Sequence, residues 1–328
     1  MVFFITFLRA IATCLITNSH YTGIYPTDLI ANGGLLGDVV FFAVSGYCLY
    51  HVKGNFFRWY GKRVWRCYLP VILITAFYMI LGFYSLETHS ALWWYVYPTY
   101  YHFVASIVVL YVPFFVVMKI DFLRKHIPLL MIGIGVVYLI LYVFVYDKSF
   151  YHIDNVREPF IRFLFMECML LGAYFKQNDA RIRNHFSWWY LVVTGILFVG
   201  YFASKLLFSR HTALAQVQII NQFVIFTLLV FLMESFSGLD GKLSKLPNPI
   251  KKLLTFLANI TLEIYVVQYV LIDLIRDLGL VFPINWIVLT ASIIAAAFAL
   301  HVVCRLIMRA TDAMILKLFH NKKEEKLQ

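Results

Sequence analysis

Two residues capable of chemistry lie in or beside the first hydrophobic stretch of the chain, eleven positions apart: Arg9 and His20. At 100° per residue, eleven steps end about 20° past three full turns, so on a helix the two side chains share a face roughly 16 Å apart. A guanidinium at bilayer depth costs at least about 2.5 to 3.5 kcal/mol, which directs Arg9 toward protein, water or a ligand. A neutral imidazole, with an ordinary pKa of about 6.5, can take a proton from a hydroxyl and hand it to a leaving group. The plainer reading of His20 is a residue at a membrane interface, wetted at one edge. Further along, Arg63 and Arg66 stand three apart and so point to nearly the same side of a helix. Their planar forks suit phosphate oxygens, with Lys62 beside them, although a topological signal explains either arginine alone.

Most of the chain exists to place such residues in lipid. Of its 328 residues 62% are hydrophobic, 18% aromatic and only 14% charged, with a mean hydropathy of +0.78. That composition excludes a soluble globular domain and predicts an all-α integral membrane protein. The opening run is no cleavable signal, because it lacks a basic leader and carries Arg9 in its middle. Apolar segments near residues 2–17, 37–50, 69–86, 101–118, 128–146, 160–175, 188–208, 217–236, 254–275 and 284–308 predict about ten transmembrane helices. Connections are short and no repeat occurs, so one membrane domain is expected over 1–318, with a charged tail at 319–328.

The net charge of +11 is distributed by topology. Lys53, Arg58, Lys62, Arg63, Arg66, Lys119, Arg124, Lys125, Lys176, Arg181, Arg183, Lys242, Lys245, Lys251 and Lys252 all fall on one side if the spans alternate. That side is the cytoplasm by the positive-inside rule, which puts both termini inside. The basic excess thus means topology and contact with membrane lipids, and no nucleic acid partner is expected. The five cysteines are scattered and read as free thiols, and no spacing suggests a metal site.

With this orientation the sequence resembles the acyltransferase-3 family of multipass membrane O-acyltransferases, whose first helix carries Arg, ten residues, then His. Residues 37–47, GDVVFFAVSGY, resemble its second helix, with two Phe before Ser45 and Gly46. Lys62, Arg63 and Arg66 before Pro70 are similar to its basic entry into helix 3, and Tyr101, His102 and Phe103 to the opening of helix 4. In many relatives helix 9 reads Ser-Tyr-x-Ile-Tyr-Leu-x-His. Here 261–268 read TLEIYVVQ, so Gln268 replaces that histidine. The chain ends soon after the tenth span, which implies the form without an appended esterase-like domain.

The resemblance implies an enzyme that moves an acetyl or other short acyl group from cytoplasmic acyl-CoA to a hydroxyl of an extracytoplasmic or lipid-linked glycan. The expected location is the cell membrane, in a bacterium the cytoplasmic membrane. His20 would be the general base, and Arg63 and Arg66, with Lys62, would receive coenzyme A phosphates. Arg9 would bind the donor arm or form an ion pair, for which Glu167 is the candidate partner. Asp38 would orient the His20 ring or cap the second helix. Ser45 and Tyr265 are candidate supporting residues. Trp93, Trp94, Tyr95, Tyr97, Tyr100 and Tyr101 would stack on sugar rings or form an interfacial belt. A rival reading is a glycan or lipid-linked sugar transporter without acyl transfer, its path lined by Arg9 and Glu167.

Overall fold

A computed structural model describes residues 2–96, 100–183 and 185–324, with side chains described as far as residue 313. Tyr97 and the basic residues of the tail beyond 313 lie outside the described side chains. Every regular element among the described residues is helical. The long α-helices are α1 (Phe3–Ser19), α2 (Gly34–Leu49), α3 (Phe56–Ile80), α4 (His102–Lys119), α5 (Ile127–Phe144), α6 (Ile161–Gln177), α7 (Trp188–Arg210), α8 (Ile219–Gly238), α9 (Asn248–Asn259), α10 (Thr261–Asp277) and α11 (Ile284–Glu324).

Six of these, α3, α4, α5, α7, α8 and α11, are long and apolar enough to cross a membrane, and the pair α9 and α10 makes a seventh if its 70° bend is counted as one broken span. The sequence segment 254–275 is therefore not one straight helix. The ladder breaks at Ile260, and α9 carries Lys251 and Lys252 on an amphipathic helix whose Ile250 and Leu253 are exposed. Helices α1, α2 and α6, at 17, 16 and 17 residues, are short for a bilayer core of about 30 Å at 1.5 Å per residue. They compensate by position: all three are rich in buried residues, whereas α5 and α7 expose most of theirs.

Close backbone approach builds this centre. A Cβ on Gly46 of α2 would overlap the Met169 carbonyl of α6, and one on Gly37 would meet Ile16 Cγ1 of α1 at 2.6 Å and the Ala12 carbonyl at 2.8 Å. Phe42 and Phe165 then stack at 4.2 Å between ring centroids, filling the α2/α6 seam. The α1 N-terminus has no capping side chain of its own. Asp240, after α8, supplies one by accepting from the Phe4 N–H at 2.8 Å, a negative charge at the positive end of the helix dipole. At mid-height Thr13 Oγ1 donates to Thr261 Oγ1 at 2.9 Å, tying α1 to the start of α10.

Candidate active site

His20 stands at the C-cap of α1, its N–H bonded to the Thr17 carbonyl at 3.1 Å. Its ring meets Tyr269 of α10 edge-on at 4.9 Å and makes no hydrogen bond to any described residue. Burial pushes the imidazole down to about 4, so it is neutral at ordinary pH with both ring nitrogens uncommitted. The ring lines a cavity of roughly 520 Å³ that also receives Asp38, His102, Asp154, Arg157, Lys205 and Tyr265.

Asp38 does not cap its helix. Gly33, at φ 103, starts α2 at Gly34, so Asp38 lies a full turn inside the helix, where the contact of Gly37 with α1 presses it against the first helix. Its carboxyl is 5% exposed and has no hydrogen-bond partner among the described residues; it shares the cavity with His20 without bonding to it. Tyr265 reaches the same cavity and packs edge-on against Phe103 at 5.5 Å. Ser45 lies two turns further along α2, half-buried and away from the cavity lining.

At the other end of the shared α1 face, Arg9 is nearly enclosed. Its guanidinium sits 5.8 Å from the Phe41 ring centroid, and its Nε is buried without a partner. The expected Glu167 partner lies elsewhere: its carboxyl faces an apolar groove between α5, α6 and α8, where Gly135 leaves room for Oε1. The acid within electrostatic reach of Arg9 is Glu263 of α10, which bonds His301 Nδ1 of α11 at 2.7 Å. One turn of helix apart in sequence, Arg9 and Thr13 could be paired by eye, but Glu263 comes from the far end of the chain and carries no local signal.

Arg63 joins this end. Its guanidinium lies 4.1 Å from the Trp59 ring centroid and its Nη1 donates to the Trp59 carbonyl at 3.1 Å, while Arg63 Nε and Trp59 Nε1 are both buried without partners. Arg9, Arg63 and Arg66 all act electrostatically on the Cys67 thiol, which contacts the Tyr111 hydroxyl at 3.8 Å. Arg66 and Lys62 are exposed. Between the two ends a void of only about 10 Å³ is bounded by Thr13, Phe41, Phe103, Thr261 and Tyr265. Aromatic side chains thus close the line from Arg9 to His20.

A family model described as an acyltransferase domain matches residues 2–306, most of the chain. The chain belongs to the acyltransferase-3 family. No curated protein and no solved structure matches it. As an acyltransferase-3 protein with several apolar helices it is a multi-pass membrane acyltransferase, which requires an acyl donor and an acceptor. Among the described residues no group of three or more His, Cys, Asp or Glu could hold a metal ion.

Contributors to the cavity that were not anticipated as site residues include Tyr269, Asp154, Arg157 and Lys205. Tyr269 lies one residue past the 261–268 stretch. Asp154 and Lys205 are joined at 3.8 Å across a separation that sequence spacing does not reveal.

Proposed function

We propose that this protein transfers a short acyl group, acetyl by preference, from cytoplasmic acyl-CoA to a glycan hydroxyl on the other side of the membrane, or to a lipid-linked one. In this reading ten helices cross, with α1, α2 and α6 as short central spans and both termini in the cytoplasm. A bacterial cytoplasmic membrane is the expected setting. The observation that carries the reading is that α1 bears an unsatisfied cationic donor, Arg9 Nε, near one end, beside Arg63 Nε of α3, and an uncommitted imidazole in a cavity at the other.

Arg9 and Arg63 hold buried Nε donors that no described residue satisfies, and a buried donor left unmade costs about 1 to 3 kcal/mol. Donor phosphate or carbonyl oxygens repay that cost, with Arg66 and Lys62 at the exposed entrance. The acyl thioester then lies along α1 toward His20, past Phe41, Phe103 and Tyr265, which must part to admit it. In the cavity the acceptor hydroxyl oxygen attacks the thioester carbonyl carbon while a His20 ring nitrogen takes its proton. The tetrahedral oxyanion collapses, the C–S bond breaks, and the imidazolium returns the proton to the departing thiolate. Asp38, which lines the same cavity, is the acidic group proposed to stabilise the imidazolium that forms.

The test is release of free thiol from labelled acetyl-CoA by the purified protein in lipid nanodiscs, with label recovered on the acceptor. His20→Ala should cut transfer by about 10² to 10⁴ while acetyl-CoA still binds. Wild-type rates from that variant, or movement of a glycan without thiol release, would replace this reading with a transporter.

A further inference from the structure

The mouth of the His20 cavity is a built structure. The loop between α5 and α6 is clamped by three amides at and just before the start of α8, each no more than 3% exposed: Gln218, Asn221 and Gln222. Gln218 Oε1 accepts from the backbone N–H groups of His152 and Ile153, both at 2.9 Å, and its Nε2 donates to the Phe150 carbonyl at 2.9 Å. Gln222 Nε2 donates to the Ile153 carbonyl at 2.8 Å, and its Oε1 accepts from Tyr138 at 2.6 Å. Asn221 holds the Asp154 carboxylate at 3.2 Å. Buried amides with every partner in place fix a backbone rather than let it sway. Asp154, so held, and Asn155, Val156 and Arg157, which follow the clamped stretch directly, line the cavity.

The charges on that wall do not cancel. Asp154 is answered by Lys205, by the Tyr151 hydroxyl and by Asn221, and Lys205 is further held by Asn32 Oδ1 at 3.1 Å. Burial nevertheless keeps the Asp154 carboxyl above its ordinary range. Asp273, which also acts on Tyr100, is taken by Arg276 at 3.2 Å. Asp38 lies deeper, a turn inside α2. Arg157 remains: it is exposed, lines the cavity, acts electrostatically on His102 and Tyr100, and its side chain bonds to no described residue.

Building on the acyl-transfer reading, we propose that Arg157 selects an acceptor carrying an anionic group, a carboxylate or a phosphate, which docks at the mouth while a neutral hydroxyl of the same molecule reaches His20. A planar guanidinium fork matches either oxyanion through two parallel hydrogen bonds. Tyr100 and Tyr269, which line the same cavity, are the aromatic residues that would pack on the sugar. Two sources share this chemistry, an acidic sugar and the phosphate of a lipid-linked saccharide.

The experiment compares methyl glucuronide, methyl glucoside and a glucosyl isoprenoid phosphate as acceptors, with the full-length protein and labelled acetyl-CoA, alongside direct calorimetric binding of each compound. Wild type should favour at least one anionic compound over the glucoside by about tenfold, the discrimination a charge-assisted pair supplies at a half-open site. Preference for the glucuronide identifies the acidic sugar, and preference for the isoprenoid phosphate identifies the lipid. Arg157→Gln should reduce that preference at least about fivefold, in KM more than in kcat, and Arg157→Lys should restore part of it. Equal use and equal binding of charged and neutral compounds by wild type overturns the proposal, as does a preference that survives in Arg157→Gln. Thiol release separates this from the parent reading: anion binding that depends on Arg157 without thiol release keeps the docking site and removes the enzyme.

Discussion

The sharpest expectation concerns the pH at which the enzyme loses its base. In the free protein the His20 imidazole is pushed from its ordinary value down to about 4, and burial is the only cause. A displacement of that size corresponds to roughly 3 kcal/mol favouring the neutral ring over the charged one, at 1.36 kcal/mol per pH unit. In the proposed mechanism the neutral ring is the active form, so activity should be full above the folded-state pKa and fall as pH drops through it. At pH 5.5 an ordinary imidazole would be roughly 9% neutral, whereas one titrating at about 4 is roughly 97% neutral. The profile of kcat/KM for the acceptor, which reports the free enzyme, should therefore stay flat from pH 8 to 5.5 and bend only near pH 4. Tyr269→Ala removes the ring that meets His20 edge-on at 4.9 Å, admits water, and should move the bend upward toward 6.5. Intrinsic fluorescence at each pH monitors that the protein remains folded. A wild-type bend near 6.5, or one that Tyr269→Ala leaves in place, refutes the buried neutral base.

Arg63→Ala combined with Arg66→Ala should raise KM for acetyl-CoA at least about tenfold with kcat little changed, since the proposed function has both residues hold the donor far from the reacting carbon; an unchanged KM reduces them to topology signals. Gly46→Leu should lower the melting temperature sharply or abolish folding, at a cost of about 3 kcal/mol or more, because its side chain would enter the α6 backbone. Gly61→Leu is the matched control, with nothing within 4 Å of its Cβ position, and size-exclusion profiles with thermal melts compare the two. In a background free of native cysteines, Thr22→Cys should react with a membrane-impermeant maleimide added outside intact cells, and Gly61→Cys should not; the reverse pattern would invert the topology.

What the sequence made legible was local. Arg9 and His20 could be placed on one helix face because only ten residues of continuous helix separate them, and the structure puts both on α1 or its cap. Most apolar segments became helices for the same reason: a run of hydrophobic side chains in lipid has few alternatives to an internally bonded helix. Errors arose where a distant element decided the outcome. Glu167 was matched to Arg9 by depth alone, but rotation about the α6 axis turns it to the α5/α8 groove. Asp38 resembles a cap only as long as Gly33, five residues earlier, is not recognised as a left-handed start. The break at Ile260 is invisible to a hydropathy window, which averages the amphipathic α9 into the apolar α10. The Gln218, Asn221 and Gln222 clamp had a faint signal, three amides within five residues at the head of an apolar helix, and only the fold shows which loop they hold.

The aromatic closure between the two ends of α1 also bears on the energy economy of the cell. A protein with hydrated polar groups at both ends of one central helix is at risk of becoming a proton wire, and a membrane that sustains an ion gradient cannot carry many of those. With Phe41, Phe103 and Tyr265 lining a void of about 10 Å³, room for the centre of about one water, no continuous file of water connects Arg9 to His20. Any donor arm that opens this constriction also fills it. In the proposed reaction the bound donor is then its own stopper, and acyl transfer across the bilayer would leave the gradient intact.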